Sequence, residues 1–459
     1  MQTSHIQHLY WRAGFGILPN QLFNLKNLTR QEVVDQLFTE SESVKKISVD
    51  LSELKGIKNP LELRKNKELR LKIVEFNKKK GVELNKVWVT EIANNKAQLR
   101  ERMTLFWANH FVCQESNAMH IQQFINVLRV NALGNFGEFV KAVSKKAAMI
   151  KYLNAKQNRK SKPNENFARE LMELFTLGVG NYTEEDIKQS ARAFTGYNHN
   201  FRGDFVLRRL QHDYGQKTFF GQTGDFDGDN IIDIILEQKQ CARFICEKIY
   251  RYFVNENIVK QHINEMVSVF YGDYDISKLM RFVFLQDWFY DEKNIGTKIK
   301  SPIDFLVGVH RTIPLKFKGE RDLMKLQHLL GQVLLRPPNV AGWKGGSSWI
   351  DVNTIMVRLR MASLLVNHAQ IPHKEKGDFN DAFRKYYFKK NKKKLPFKVE
   401  ANWDAFFSNY GHYSNATLQQ NLLNTKLNNG TEAFLRSLNK SSLRDYCIQL
   451  MSLPEYQMC

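Results

Sequence analysis

Along most of this chain apolar residues return every three or four positions, the spacing that lays one face of an α-helix on a core. The pattern predicts helices near 259–270, 276–286, 302–313, 321–335, 353–367 and 441–452. Capping chemistry marks other starts. Thr29-Arg30-Gln31-Glu32 is a capping box ahead of Val33 to Phe38, and Thr183-Glu184-Glu185-Asp186 has a carboxylate in the same place. Asn59-Pro60 reads as an N-cap followed by proline at the first helical position, with Gly81 after the end of that Lys/Glu-rich helix. Asp229 reads as the cap of the apolar run Ile231 to Leu236. Strand alternation is rare. It is clearest from Phe201 to Phe220, where Phe205-Val206-Leu207 and Lys217-Thr218-Phe219-Phe220 flank a polar middle, as in one hairpin or a two-stranded insertion. The expected fold class is mainly α: a large multi-helix globular protein with a small β-hairpin insertion near 201–220. The expected organisation is a helical core over 1–371 carrying the candidate site, a basic linker-like stretch over 372–415, and a short C-terminal helical segment over 416–459 packing on the core.

Two helices break the usual division into a wet and a dry face. On a helical wheel of ~100° per residue, Glu165, Asn166, Arg169, Glu170 and Glu173 fall within roughly 140° of one another. Phe167, Ala168, Leu171, Met172, Leu174 and Phe175 take nearly all the rest, which predicts an embedded helix with a polar wedge facing a cleft or the interior. Carboxylates, an amide and a guanidinium confined together shift one another's pKa values, bind cations or serve as acid and base. The structural alternative is a ladder of i,i+4 ion pairs, Glu165–Arg169 and Arg169–Glu173. The segment Met103 to Phe111 shows apolar residues on every side, which places Asn109 and His110 in the interior, with Arg102 on the face of Asn109. A lone buried histidine serves either a site or the hydrogen bonding of the core.

Further candidates are weaker. His212-Asp213 on the expected hairpin has the composition of a general base or metal ligand, with Lys217 close behind it. Two histidines and several glutamates would suit Zn, Mn or Fe, but no H-E-x-x-H or E-x-x-H spacing occurs, so no residue is assigned to a metal. Asp225 to Asp233 imitates a calcium loop at its first, third, fifth and ninth positions, then departs with Asn230 at the turn and Leu236 at the twelfth. Arg336 to Gly346 is a rigid Pro/Gly loop whose Asn339 and Trp343 can wall a small-molecule cleft or simply connect two helices. The chain has no phosphate loop and no nucleophile elbow. Its residues name no cofactor.

Charge adds one possibility. The chain of 459 residues has a net charge of +21, which favours polyanions or acidic partners. Residues 371–400 hold ten Lys/Arg against four Asp/Glu, centred on Lys389-Lys390-Asn391-Lys392-Lys393-Lys394; a solvated surface is the competing reading. No motif supports nucleic acid. Five cysteines, at 113, 241, 246, 447 and 459, form no C-x-x-C pair and no disulfide framework. The first residues have no basic region followed by an apolar one, and no stretch approaches the ~20 apolar residues of a membrane span, so the cytoplasm is the expected location.

The same segments resemble the domain-of-unknown-function 1800 family of bacterial proteins. The resemblance runs from His8-Leu9-Tyr10-Trp11-Arg12-Ala13-Gly14-Phe15-Gly16 through Leu105 to Phe111 and Asn164 to Gly178. It continues with Ala193-Phe194-Thr195-Gly196-Tyr197, His212-Asp213, Pro337 to Trp343 and Leu453-Pro454-Glu455-Tyr456-Gln457. The family pattern has His where this chain has Ala108, which weakens any metal model needing two histidines on that helix, and often Trp in place of Tyr197. The resemblance implies no particular reaction. It implies a sulfatase-like neighbour protein as a partner, because members are often encoded beside one.

Two functions fit. One is a hydrolase or transferase on a polar or anionic substrate, with Glu165, Glu170, Glu173, His110, His212 and Asp213 as catalytic candidates. Asn109, Asn166, Arg169, Lys217, Asn339 and Trp343 are then the substrate-binding candidates. The other is a non-catalytic accessory protein that docks a polyanion or an acidic partner.

Overall fold

Short polar side chains start the helices where local hydrogen bonding requires them. Thr29 caps Arg30–Glu40, its backbone N–H returning to Glu32 at 2.8 Å, and Thr183 with Asp186 does the same for Glu184–Ala193. Ahead of Ile231 the cap is Asp227 rather than Asp229. Its carboxylate accepts from Asp229 N at 2.9 Å and Asn230 N at 3.1 Å, and the helix runs Gly228–Glu237. Gly228 takes the first helical position because a Cβ there would collide with Phe194 and Tyr197.

The computed structural model describes residues 1–56, 65–366, 399–438 and 441–459. The periodic segments appear as Lys260–Phe270, Ile276–Leu285, Pro302–Thr312, Asp322–Leu330, Val352–Val366 and Leu443–Met451. The start read at Asn59-Pro60 lies outside the described residues. Gly81 ends nothing: Lys67–Asn94 runs through it for 28 residues. Exposed Glu68–Lys72 and Glu75–Lys79 pairs support its first half, and burial of Leu84, Trp88, Val89 and Ile92 fixes the second.

The fold is mainly α, with three two-stranded antiparallel sheets among the described residues. Phe205–Leu207 and Lys217–Phe219 are strands, but each has a partner other than the other. The first pairs with Tyr197–His199, the second with Gln222–Gly224, and a third sheet joins Leu315–Phe317 to Val399–Ala401. The polar middle between the two strands is tied to the Glu184–Ala193 helix, where Arg192 meets Asp213 at 2.7 Å.

Among the described residues three apolar clusters make the core. The largest joins Ile6, Leu9, Met103, Phe106 and Trp107 to Ile245, Ile249 and Phe253. The second packs Phe305, Val309 and Ile313 against Met361, Leu365, Tyr446, Leu450 and Tyr456. The third sets Leu84, Trp88 and Ile92 of the long helix on Leu105, Ile303 and Val307. Gln98–His110 therefore serves the first and third clusters, and Pro302–Thr312 the second and third. As the all-round apolar pattern predicts, Gln98–His110 is buried on every side up to its last turn. Among the described residues no helix is long and apolar enough to cross a membrane.

Candidate functional site

The segment with the polar wedge is built in two parts. Asn166–Glu170 is α-helical, and Leu171–Thr176 continues it as a π-helical turn. The wider turn brings both Leu177 N (2.8 Å) and Gly178 N (3.0 Å) onto Met172 O and leaves the Leu174 and Phe175 carbonyls to neighbouring helices. His110 Nε2 lies 3.0 Å from Phe175 O, and Lys248 Nζ donates to Leu174 O at 2.8 Å. A carbonyl only accepts, so Nε2 carries the imidazole proton and Nδ1 is left to accept from Lys248 at 3.2 Å. Burial first, and then the Lys248 charge, hold His110 well below its usual pKa; it is a neutral ring. Burial also brings Lys248 down to about 8, although its ammonium lies 4.5 Å from the face of Phe244.

His110 and Lys248 line a cleft of about 530 Å³. Phe106 and Asn109 continue the wall on the first helix, Arg251 and Tyr252 on Lys239–Phe253, and Glu256 follows in the next loop. Lys298, Ser301 and Asp304 close a second side, and the loop from Ala341 to Trp349 forms the third. Asn109 fixes that loop by a reciprocal pair, Nδ2 to Trp343 O at 2.9 Å and Trp343 N to Oδ1 at 2.8 Å. Gly342, at φ +76°, permits the approach, since a Cβ there would strike Asn109 Oδ1.

The cleft floor is ionic. Arg102 meets Asp304 at 2.5 Å with both side chains 2 % exposed, and it also donates to Gly14 O at 2.9 Å. Burial would raise Asp304, but Arg102, Lys298 and the Ser301 amide hold it below the usual carboxylate range. Lys298 lies 3.7 Å over the Tyr252 ring and donates to Tyr252 O. Burial first, and then the Arg102 charge, pulls Lys298 down to about 7, opposed by the Asp304 carboxylate. Burial also pushes the Tyr252 phenol up to about 12.

Of the residues singled out in the sequence, Asn109, His110 and Trp343 meet here. The polar wedge does not line the cleft, and it is not embedded: Glu165, Arg169, Glu170 and Glu173 are half-buried and Asn166 is exposed. Arg169 pairs with Glu165 at 3.2 Å and with Glu184 at 2.9 Å, not with Glu173. Glu173 accepts from Tyr182 Oη at 3.0 Å. Burial and the adjacent Glu173 push Glu170 upward. His212 is buried with Nδ1 on Thr195 O at 2.8 Å, Asp213 is held by Arg192, and buried Lys217 donates to Gly215 O at 2.9 Å. Asn339 is exposed and accepts from Ala341 N at 2.9 Å. Asp225 of the calcium-like stretch faces Lys217 at 3.3 Å, and Asp229 faces Lys145 at 2.5 Å. Among the described residues no three His, Cys, Asp or Glu side chains are placed to hold a metal ion together. The Lys389 to Lys394 run lies outside the described residues.

Lys248, Arg251, Tyr252, Glu256, Lys298 and Asp304 were not singled out. Signals for two of them exist. Lys248 stands on the apolar face formed by Cys241, Ile245 and Tyr252, where a charged head needs a reason. Lys298-Ile299-Lys300 directly precedes the Ser301-Pro302-Ile303-Asp304 capping box, which seats both lysines against a helix start.

The family model described as Protein of unknown function (DUF1800) matches residues 8–458. The chain belongs to that family. No curated protein and no solved structure matches it. The family match therefore takes in every wall of the cleft, from Asn109 and Lys248 to Lys298 and the Trp343 loop.

Proposed function

We propose that this protein is a hydrolase or group transferase for a polar, anionic substrate bound in the cleft, with Lys248 as the group that exchanges a proton. The observation that carries the reading is the setting of Lys248. Its ammonium is shared between the Leu174 carbonyl and the lone pair of a neutral His110, on the wall of a cavity of about 530 Å³, and burial brings it to about 8. A lysine near neutrality supplies or takes a proton at physiological pH. Arg251, Lys298 and Lys344 outnumber Glu256 and Asp304 around it, and Asp304 already faces Arg102. The cleft therefore attracts a carboxylate, phosphate or sulfate group. Trp343, Trp349, Tyr252 and Phe106 offer flat faces to the rest of a ring-bearing ligand.

The test is a thermal-shift screen of the full chain against phosphate, sulfate, citrate, glucose 6-phosphate and glucuronate, followed by mass spectrometry of each ligand that binds. At least one is expected to raise the melting temperature and to be converted. Arg251→Ala should lower its affinity about tenfold, and Lys248→Met should keep binding while turnover falls by roughly 10²-fold or more. The wild-type rate should rise with pH through about 8, as Lys248 loses its proton. Glu170→Gln should leave both binding and turnover as they are. Absence of binding by every anion, or turnover that survives Lys248→Met, overturns the reading.

A further inference from the structure

Away from the cleft, the helix Ala118–Asn131 and the strand Tyr197–His199 bring two imidazoles together. The rings of His120 and His199 have centroids 5.1 Å apart and planes at 72°. Each has its Nδ1 engaged: His120 Nδ1 lies 3.3 Å from Glu115 Oε2, and His199 Nδ1 lies 2.7 Å from Asn200 O. A carboxylate and a carbonyl accept, so in the neutral rings both protons sit on Nδ1 and both Nε2 atoms present bare lone pairs. Both Nε2 atoms are buried, and neither has a hydrogen-bond partner among the described residues.

A third buried acceptor stands one turn along the same helix. Gln123, one turn beyond His120, donates its amide N–H to Arg202 O at 2.8 Å, which fixes the other end of the amide. Its Oε1 is buried and has no partner among the described residues either. Gly203, at φ +86°, packs closely against Gln123 Oε1 and the edge of the His120 ring, where a Cβ would strike both. Three buried acceptors without a donor are an expensive arrangement. A water molecule donates two hydrogen bonds at most and leaves one acceptor unmet. A cation satisfies all three.

We propose that His120 Nε2, His199 Nε2 and Gln123 Oε1 bind one divalent transition-metal ion of the Zn²⁺ type. Imidazole nitrogens select Zn²⁺, Co²⁺, Ni²⁺ or Cu²⁺ over Mg²⁺ and Ca²⁺. With metal–nitrogen bonds of about 2.0–2.1 Å and a tetrahedral angle, the two ring centroids stand roughly 5 Å apart, as these do. The Nδ1 partners have the form of outer-shell support: a carboxylate and a backbone carbonyl orient the rings and raise the basicity of Nε2. Glu115 is itself held by Lys151 at 2.6 Å and by the Asn117 amide at 2.9 Å, which keeps it ionised beside His120. His199 is half-buried, which leaves the ion a route from solvent.

The experiment uses the full chain stripped of metal with a chelator and titrated with CoCl₂, then ZnCl₂, with MgCl₂ as control. One equivalent of Co²⁺ should bind with the visible absorption of a four-coordinate site. Zn²⁺ should displace it, and Mg²⁺ should not. His120→Ala and His199→Ala should each lower affinity at least tenfold, and the rise in melting temperature on adding Zn²⁺ should vanish in His199→Ala. Lys248→Met should bind the ion as the wild type does, which separates this site from the cleft. Should His120→Ala fail to fold, the half-buried His199→Ala decides alone. Absence of stoichiometric uptake, or uptake unchanged in a folded His199→Ala, overturns the proposal.

Discussion

Asp304 is the carboxylate paired with Arg102 on the floor of a strongly cationic region, and its removal tests how that region is held. Arg102 meets it at 2.5 Å. Nearby, Lys300 is held by Tyr456 O at 2.8 Å between the rings of Trp11 and Tyr456, and Arg358 donates to Lys300 O at 2.5 Å. Removing one partner of a buried pair leaves the other charge without compensation, and typical losses are about 3–5 kcal/mol. Asp304→Asn should therefore lose about that much stability at pH 7 in urea unfolding. The pH dependence has a definite sign. The folded pKa of Asp304 is depressed, so its contribution is complete above the unfolded value near 3.9 and is lost as pH falls through the folded value. The wild type should weaken progressively below about pH 5, and the variant should show a shallower acid limb. Equal acid limbs in the two proteins would show that the Arg102–Asp304 pair adds nothing.

Elements were legible where one local rule decided them, and Gly81 shows where a local rule lost. Glycine in a helix interior costs roughly 0.5–1 kcal/mol relative to alanine, so it reads as a stop. Here burial of Trp88 and Ile92 on the far side carries the helix through it. A Cβ at Gly81 would meet nothing within 4 Å. Gly81→Ala should thus stabilise the protein by about 0.5–1 kcal/mol, seen as a higher melting temperature, and a lower one would mean that the glycine has a packing role. The two capping boxes and the six periodic segments after residue 258 needed only neighbours three or four positions apart, and all became helices. The pairing of Phe205–Leu207 and Lys217–Phe219 was not legible, because each strand's partner, Tyr197–His199 or Gln222–Gly224, lies outside the 201–220 segment. The wedge residues over 165–173 stand half-buried or exposed, and their spacing alone does not tell a cleft from a surface. From Leu171 onward the chain turns as a π-helix with a smaller step, so a wheel of ~100° per residue no longer holds at Glu173. What the motif does contribute, the Leu174 and Phe175 carbonyls, is backbone, and side-chain patterns are blind to it.

At the scale of the whole molecule the cleft exists because separate parts of the core meet, and Asn109 is a small joint between two of them. It stands at the end of Gln98–His110, whose apolar residues belong to the first and third apolar clusters. Its side chain reaches 234 residues along the sequence to clasp Trp343 in the loop that forms the third wall. The half-buried Ala108 and Asn109 mark the turn where the helix leaves the core. Asn109 and His110 were legible from the all-round apolar helix and Trp343 from its Pro/Gly loop, while Lys248 and Lys298, supplied from elsewhere in the chain, were not. Asn109→Ala removes both hydrogen bonds of the clasp without disturbing the apolar clusters, so global stability should fall by only about 1–3 kcal/mol. The loop, however, loses the contact that fixes its distance from Lys248. Chymotrypsin should cut at Trp343 or Trp349 faster than in the wild type, and tryptophan emission should shift to the red. Any anion found to bind the cleft should bind about tenfold more weakly, with the acid–base behaviour of Lys248 retained. If cleavage and emission stayed as in the wild type, the loop would be held by its own Pro/Gly geometry, and the cleft would owe its third wall to that loop alone.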